Sequence, residues 1–230
     1  LDAELVVAVL TQLALRQAAR SKFGPFASHM VFTRDGLEQA TRLVVAARHA
    51  QRFRDCGATR VADLGCGIGS DAMAIAGLGM KVLAVDIDPD TAGAVAANLR
   101  AFEGSEVRLG DVTDLDMDEL SAEGVDAIFA DPARRTGASR GSARITDPEQ
   151  WSPPLSLALG WATTIDRVGI KVAPGIAYEH IPSSWHAQWV SVGGDLVEAS
   201  LWSPALSPEG RGRSCLLLDE AGAAHSLSTP

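Results

Sequence analysis

The chain of 230 residues is short of cysteine, of tyrosine and of long apolar runs, and each shortage closes off a class of protein. Its three cysteines, Cys56, Cys66 and Cys215, are widely spaced, odd in number and without a C-x-x-C pair. Disulfides and zinc are therefore unexpected, and a reducing, cytoplasmic setting is expected. No apolar run approaches the roughly 20 residues of a membrane span, and no basic-then-apolar leader opens the sequence, so no membrane partner is expected. The histidines His29, His49, His180, His186 and His225 have no ligand spacing, and no metal is expected from them. Repeats and low-complexity segments are missing too. The chain begins at Leu1 rather than methionine, as a processed product or a piece of a longer chain would.

Basic charge is scarce overall but uneven. The formal net charge is −9. Residues 1–60 hold nine Lys/Arg against five Asp/Glu, residues 61–131 hold three against fifteen, and residues 132–230 hold eight against nine. The acidic middle is flanked by basic segments, so a polyanionic substrate is allowed but receives no support from total charge.

What the middle does contain is a nucleotide-site layout. Val61-Ala-Asp-Leu reads as a strand buried on both faces. Gly65, Gly67 and Gly69 follow, and a helix opens near Ser70. Val82 to Val85 is the next strand, with Asp86 at its end, seventeen residues past Gly69. A carboxylate there can accept both hydroxyls of a ribose. A dinucleotide fingerprint needs its third glycine one residue later, where Ser70 stands. Asp63 and Asp71 also bracket the loop, which disfavours a pyrophosphate and suits a cationic amino acid moiety. Two further strands end in carboxylates, Val107 to Val112 with Asp111, and Val125 to Pro132 with Asp131.

Asp63-Leu-Gly-Cys-Gly-Ile-Gly69 with these later strand ends resembles the class I S-adenosylmethionine-dependent methyltransferases. The resemblance implies an α/β fold: a Rossmann-like, seven-stranded, mostly parallel sheet with an antiparallel last strand. Leu196 to Trp202 and Ser214 to Leu218 are expected to form its closing antiparallel pair. The cofactor implied is S-adenosyl-L-methionine, with S-adenosyl-L-homocysteine as product. The implied cofactor-binding residues are Thr33, Asp63, Gly65, Cys66, Gly67, Ile68, Gly69, Asp71, Asp86, Ile87, Asp111, Val112 and Asp131. Asn98 matches a position in the family's second helix, against a plain reading as an exposed helix residue.

Before this core, residues 3–20 carry apolar residues at helical spacing, and a second helix from Gly36 to about Phe53, capped by Asp35, is expected. The expected division is a helical segment over 1–55 and a Rossmann-like domain over 56–230. Phe32, Thr33 and Gln39 lie where related enzymes reach over the cofactor, although packing alone equally explains Phe32.

The chemistry of the acceptor falls to Asp131-Pro132-Ala133-Arg134. Methyl transfer needs an aligned nucleophile more than a strong acid or base. Amine methyltransferases carry (Asp/Asn/Ser)-Pro-Pro-aromatic here; this chain matches the first two positions only. Asp131, Pro132 and Arg134 are the candidate catalytic residues, with Asp131 accepting an N–H and the Arg134 guanidinium able to stack on a base. Arg134, Arg135 and Arg140 are candidate substrate-binding residues for phosphates; with Arg144, the same arginines also read as a solvated loop, or as Arg134 pairing with Asp131 or another strand-end carboxylate. Trp151 is a candidate for the substrate mouth, with packing as the plain reading. RNA uracil-C5 enzymes share Asp-Pro-x-Arg, but they need a cysteine after the fifth strand, where Lys171-Val-Ala-Pro-Gly175 has none.

Taken as a set, Phe32 to Thr41, the glycine loop, Asp131 to Arg135 and Lys171 to Gly175 resemble a bacterial methyltransferase family carrying a THUMP-like region and grouped with trimethylguanosine synthase-like enzymes. That resemblance implies methylation of a guanosine N2-type amine in RNA. A small-metabolite acceptor and a non-catalytic cofactor-binding module are the alternatives.

Overall fold

Four strands of this chain are apolar along nearly their whole length, as strands covered on both faces must be. They are β1 (Arg60–Leu64), β2 (Lys81–Asp86), β4 (Ala127–Ala130) and β5 (Arg167–Val172), and with the more exposed β3 (Ser105–Leu109) they run parallel in one sheet. The computed structural model describes residues 2–134, 145–219 and 223–229. Register is what makes the site. Leu64 of β1 pairs with Val85 on one side and Ala130 on the other, so Gly65, Asp86 and Asp131 leave the sheet at one edge. Strand order reverses direction at β1, where ligands of open α/β sheets bind.

The sheet has nine strands among the described residues, not seven, in the order β3-β2-β1-β4-β5-β7-β6-β8-β9. The expected pairing at its far end is also wrong. β6 (His186–Val192) and β7 (Asp195–Trp202) form a hairpin across Gly193-Gly194, both at positive φ, the geometry of the tight turns that suit strand twist. β7 lies antiparallel on β5, so β8 (Gly212–Leu218) is left the outer edge of β6 and pairs with it in parallel. β9 (Ala224–Thr229) adds an antiparallel edge; its residues are exposed and lack apolar alternation, which is why sequence pattern missed it.

Helix α1 (Ala3–Phe23) is capped by the Asp2 side chain, carries Arg20 and Lys22 in its last turn, and ends at Gly24. The predicted second helix is two helices. Thr33, not Asp35, caps α2 (Arg34–Gln39), and the chain is extended at Ala40 before α3 (Leu43–Asp55) begins. The break turns Thr41 inward, 6% exposed. α1 serves as a mould for this segment. Gln12 exchanges two hydrogen bonds with the Phe32 backbone, Arg16 donates to Met30 O, and Lys22 Nζ donates to the carbonyls of Leu37, Glu38 and Ala40.

α3, α4 (Ser70–Gly77) and α5 (Pro89–Leu99) cover one face of the sheet, with Phe23, Phe53, Phe129 and Trp202 in the core between. Each such ring contributes about 1.5–3 kcal/mol by leaving water. The other face is covered by α6 (Met117–Ala122), α7 (Leu155–Gly160), Trp151 and Trp161. Trp151 is 3% exposed and donates to Ile145 O at 3.0 Å, so it belongs to the core rather than to a substrate mouth. Among the described residues no helix is long and apolar enough to cross a membrane.

Candidate active site

The glycine loop is tied to the sheet by its first two amides, Gly65 and Cys66, which both donate to Val85 O at 2.9 and 3.1 Å. Gly69 then caps α4 at φ 86°, and a Cβ there would lie 2.5 Å from Val95 Cγ2, so no larger residue fits. Gly67, at φ 55°, has nothing within 4 Å of its would-be Cβ: the loop's tip faces open space. Asp86 braces that tip. Its Oδ2 accepts from Gly67 N at 2.9 Å and its Oδ1 from Asp88 N at 3.0 Å. Burial raises the Asp86 pKa despite these bonds. Ile87 beside it is 65% exposed, a large apolar side chain on the rim. Asp111 Oδ1 accepts from the amide and hydroxyl of Thr113 at 2.9 and 2.7 Å, which lowers its pKa, while Val112 is buried.

The segment expected to form a strap over the cofactor packs on the glycine loop. Thr33 Oγ1 accepts from Gly36 N at 3.1 Å, and a Cβ on Gly36 would sit 2.4 Å from Ile68 Cγ2, so α2 rests directly on the glycine loop. Phe32 is buried against Phe23, whereas Gln39 is exposed. Asn98 is buried rather than exposed. It accepts from Val31 N and donates to the carbonyls of Val31 and Ile68, joining strap, loop and α5.

Beneath the loop lies a charge network that sequence reading did not assemble. His49 on α3 lies between Asp71 Oδ1 at 2.7 Å and Glu198 Oε1 at 2.8 Å, all with side chains under a tenth exposed. Burial opposes a charged imidazole, but Glu198 and Asp71 together push its pKa up to about 10, so it is an imidazolium. Burial likewise works against the Asp71 charge, yet His49, Lys171 and Thr41 hold its pKa below the usual value. Lys171 Nζ donates to Asp131 Oδ2 at 2.7 Å and to Thr41 Oγ1 at 3.0 Å. Burial disfavours its charge too, but Asp131, Glu198 and Asp71 raise its pKa. Asp63 accepts from Ala72 N but its Oδ2 has no partner among the described residues. Burial, then Asp71, Asp131 and Asp86, push its pKa well above the carboxylate range. Burial and the acidic neighbours Asp63 and Asp86 also raise the Cys66 thiol, which is no nucleophile in this setting.

The structure thus brings together Thr33, Asp63, the glycine loop, Asp71, Asp86 and Asp131, and it adds Thr41, His49, Lys171 and Glu198. The usable signal for the last two was a charged residue inside an apolar strand, as in Val168-Gly-Ile-Lys-Val172. Arg134 is not the partner of Asp131; Lys171 is, and the Arg134 carbonyl accepts from Ile145 N at 2.9 Å. Pro132 is buried. Arg135, Arg140 and Arg144 lie outside the described residues.

Comparison with known proteins points to a methyltransferase family. The profile of the Methyltransferase small domain family matches residues 25–146, more than half of the chain. An uncharacterized S-adenosylmethionine-dependent methyltransferase of Mycobacterium tuberculosis is 32% identical over 220 residues, covering 89% of this chain and 56% of the relative. The chain therefore spans little more than half the length of that relative. Ribosomal RNA small subunit methyltransferase J of Alkalilimnicola ehrlichii is 30% identical over 187 residues, 72% of this chain and 70% of the relative. In fold, the chain is similar to a crystal structure from Porphyromonas gingivalis W83 provisionally assigned as a methyltransferase. The TM-score is 0.72 at 24% identity, over 88% of this chain and 51% of the other. The chain belongs to the methyltransferase small-domain family, within the class I S-adenosylmethionine-dependent methyltransferases.

Proposed function

We propose that this protein is an S-adenosylmethionine-dependent methyltransferase acting on a base amine, of guanosine N2 type, in RNA. The observation that carries the reading is the junction of loop and strand end. A Cβ on Gly65 would lie 3.1 Å from the Asp131 carbonyl, so the residue suited to the acceptor abuts the loop suited to the cofactor. The residues fit the cofactor. Gly67 faces open space, and Asp63, at the end of β1 just before the loop, keeps a buried Oδ2 unpartnered among the described residues. In this reading Asp86 holds the ribose, Ile87 and Asp111 hold the adenine, and Thr33 and Asp71 bound the amino acid end. S-adenosylmethionine supplies an electrophilic methyl group on a cationic sulfur when bound.

The protein's own part is orientation and charge. Asp131 accepts an N–H of the amine and turns the nitrogen lone pair toward the loop, a proximity effect rather than strong base catalysis. The excess of carboxylates around the loop favours a cationic ligand over a polyphosphate. RNA as the acceptor is supported by the relative named for the small-subunit ribosomal RNA. Lys171 is buried and paired with Asp131, so the nucleic-acid contact falls to flanking basic residues such as Arg134.

The test has two stages. S-adenosylhomocysteine titrated into the protein by calorimetry should bind, and Asp86→Ala should weaken it at least tenfold, the loss of charged hydrogen bonds of about 1.5–3 kcal/mol each. Labelled methyl from S-adenosylmethionine should then enter total RNA from cells lacking the gene, disappear with Asp131→Ala, and appear as N2-methylguanosine by nucleoside mass spectrometry. Label entering only small molecules would exclude the RNA acceptor.

A further inference from the structure

Asp131 is the partly exposed member of a pair whose other half is hidden. The Lys171 side chain is 8% exposed and that of Asp131 29%. Strand alternation on β5 sends Ile170 and Val172 into one core and leaves Lys171 on the opposite face, behind the site. From there the ammonium meets Asp131 from the end of β4 and Thr41 from the link between α2 and α3. Asp71 from α4 and Glu198 from β7 also act on it, and Lys22 of α1 is close enough to feel its charge. Asp63 on β1 presses on Asp131 with like charge when ionised, as Asp71 does on Asp63. Asp131 Oδ2 is thus engaged from behind, while Oδ1 makes no hydrogen bond to another described residue.

We propose that Lys171 is the positioning residue of the acceptor end: it holds one oxygen of Asp131 and fixes the carboxylate so that the other is presented to the acceptor amine. This deepens the proposed function and rests on Asp131 being the acceptor-binding residue. A lysine suits the task, because a compact ammonium donates to Asp131 and Thr41 at once from a narrow buried space. Without it, Asp131 loses its one cationic partner among the described residues, and rotates toward solvent. The same network joins Asp131 to the first turn after the glycine loop through Thr41 and Asp71, so acceptor and cofactor ends are set by one buried lattice of charge.

The experiment compares Lys171→Met and Lys171→Arg with the parent protein. A crystal structure of Lys171→Met with S-adenosylhomocysteine should show the Asp131 carboxylate swung out of its parent rotamer; an unmoved carboxylate overturns the proposal without reference to any acceptor. In methyl transfer to RNA from cells lacking the gene, Lys171→Met should lose at least 100-fold in kcat while S-adenosylhomocysteine affinity stays within threefold. Lys171→Arg should recover part of the rate. A parent-like rate in Lys171→Met overturns the proposal. If Asp131 moves but the parent protein labels no RNA, the RNA acceptor falls and the positioning role stands. Should Lys171→Met not fold, the double variant Asp131→Asn/Lys171→Met removes both buried charges. Its rate should equal that of Asp131→Asn alone, and a further tenfold fall would show Lys171 acting independently of Asp131.

Discussion

Replacing His49 by glutamine removes the cation from the buried contact with Asp71 and Glu198, at 2.7 and 2.8 Å, and leaves two carboxylates with only Lys171 to offset them. Breaking a buried ion pair from one side costs about 3–5 kcal/mol. The raised His49 pKa leads to the same size. A proton held with a pKa of about 10 rather than 6.5 corresponds to about 5 kcal/mol of folded-state preference for the imidazolium. Because the folded pKa lies above the unfolded one, that stability is complete below pH 6.5 and is lost as pH rises through about 10. The decline between is about 1.4 kcal/mol per pH unit. Lys22 runs the other way: burial, then Lys171 and Arg42, lower its pKa from 10.5 to about 8, so stability rises over that window. It is present in both proteins and cancels in their difference. Urea unfolding of parent and His49→Gln should therefore be compared from pH 6 to 10.5. The gap should be largest at pH 6, worth roughly 6–20 °C in Tm for a chain of this length, and should close steadily toward pH 10. A gap that stays constant over pH 7–10 would mean that His49 is neutral in the folded protein, and the reading of the network as ion-paired would fail.

Two further outcomes follow from the strap. Gly36→Ala places a Cβ 2.4 Å from Ile68 Cγ2 and 2.5 Å from Thr33 Oγ1, so it should cost about 1–3 kcal/mol and weaken S-adenosylhomocysteine by at least tenfold in calorimetry. Unchanged affinity would show that the strap does not set the loop. Asn98→Ala strips the Val31 amide of its acceptor and two carbonyls of their donor, and a buried unsatisfied group costs about 1–3 kcal/mol. Amide exchange at Val31 should accelerate with it; protection equal to the parent's would remove Asn98 from the loop's support.

The sequence by itself determined the parallel half of the sheet and the identity of the loop. Val61 to Leu64 and Val82 to Val85 are local apolar runs, and Gly67 and Gly69 declare their backbone wherever they stand, so both are readable without a fold. Helix capping was half legible: Arg20 and Lys22 mark the end of α1, but Thr33 outcompeted Asp35 because the strap's path is set by Gln12 and Arg16 from another helix. The far edge of the sheet was not legible. Whether β7 pairs with β6 or β8 depends on a two-glycine turn and on which edge β5 leaves open, a matter of global order rather than of pattern. The charge network was least visible of all. Thr41, His49, Asp71, Asp131, Lys171 and Glu198 come from six separate elements and share no spacing. Only the tertiary structure, by burying them where water cannot solvate a lone charge, decided that each has to find its partner.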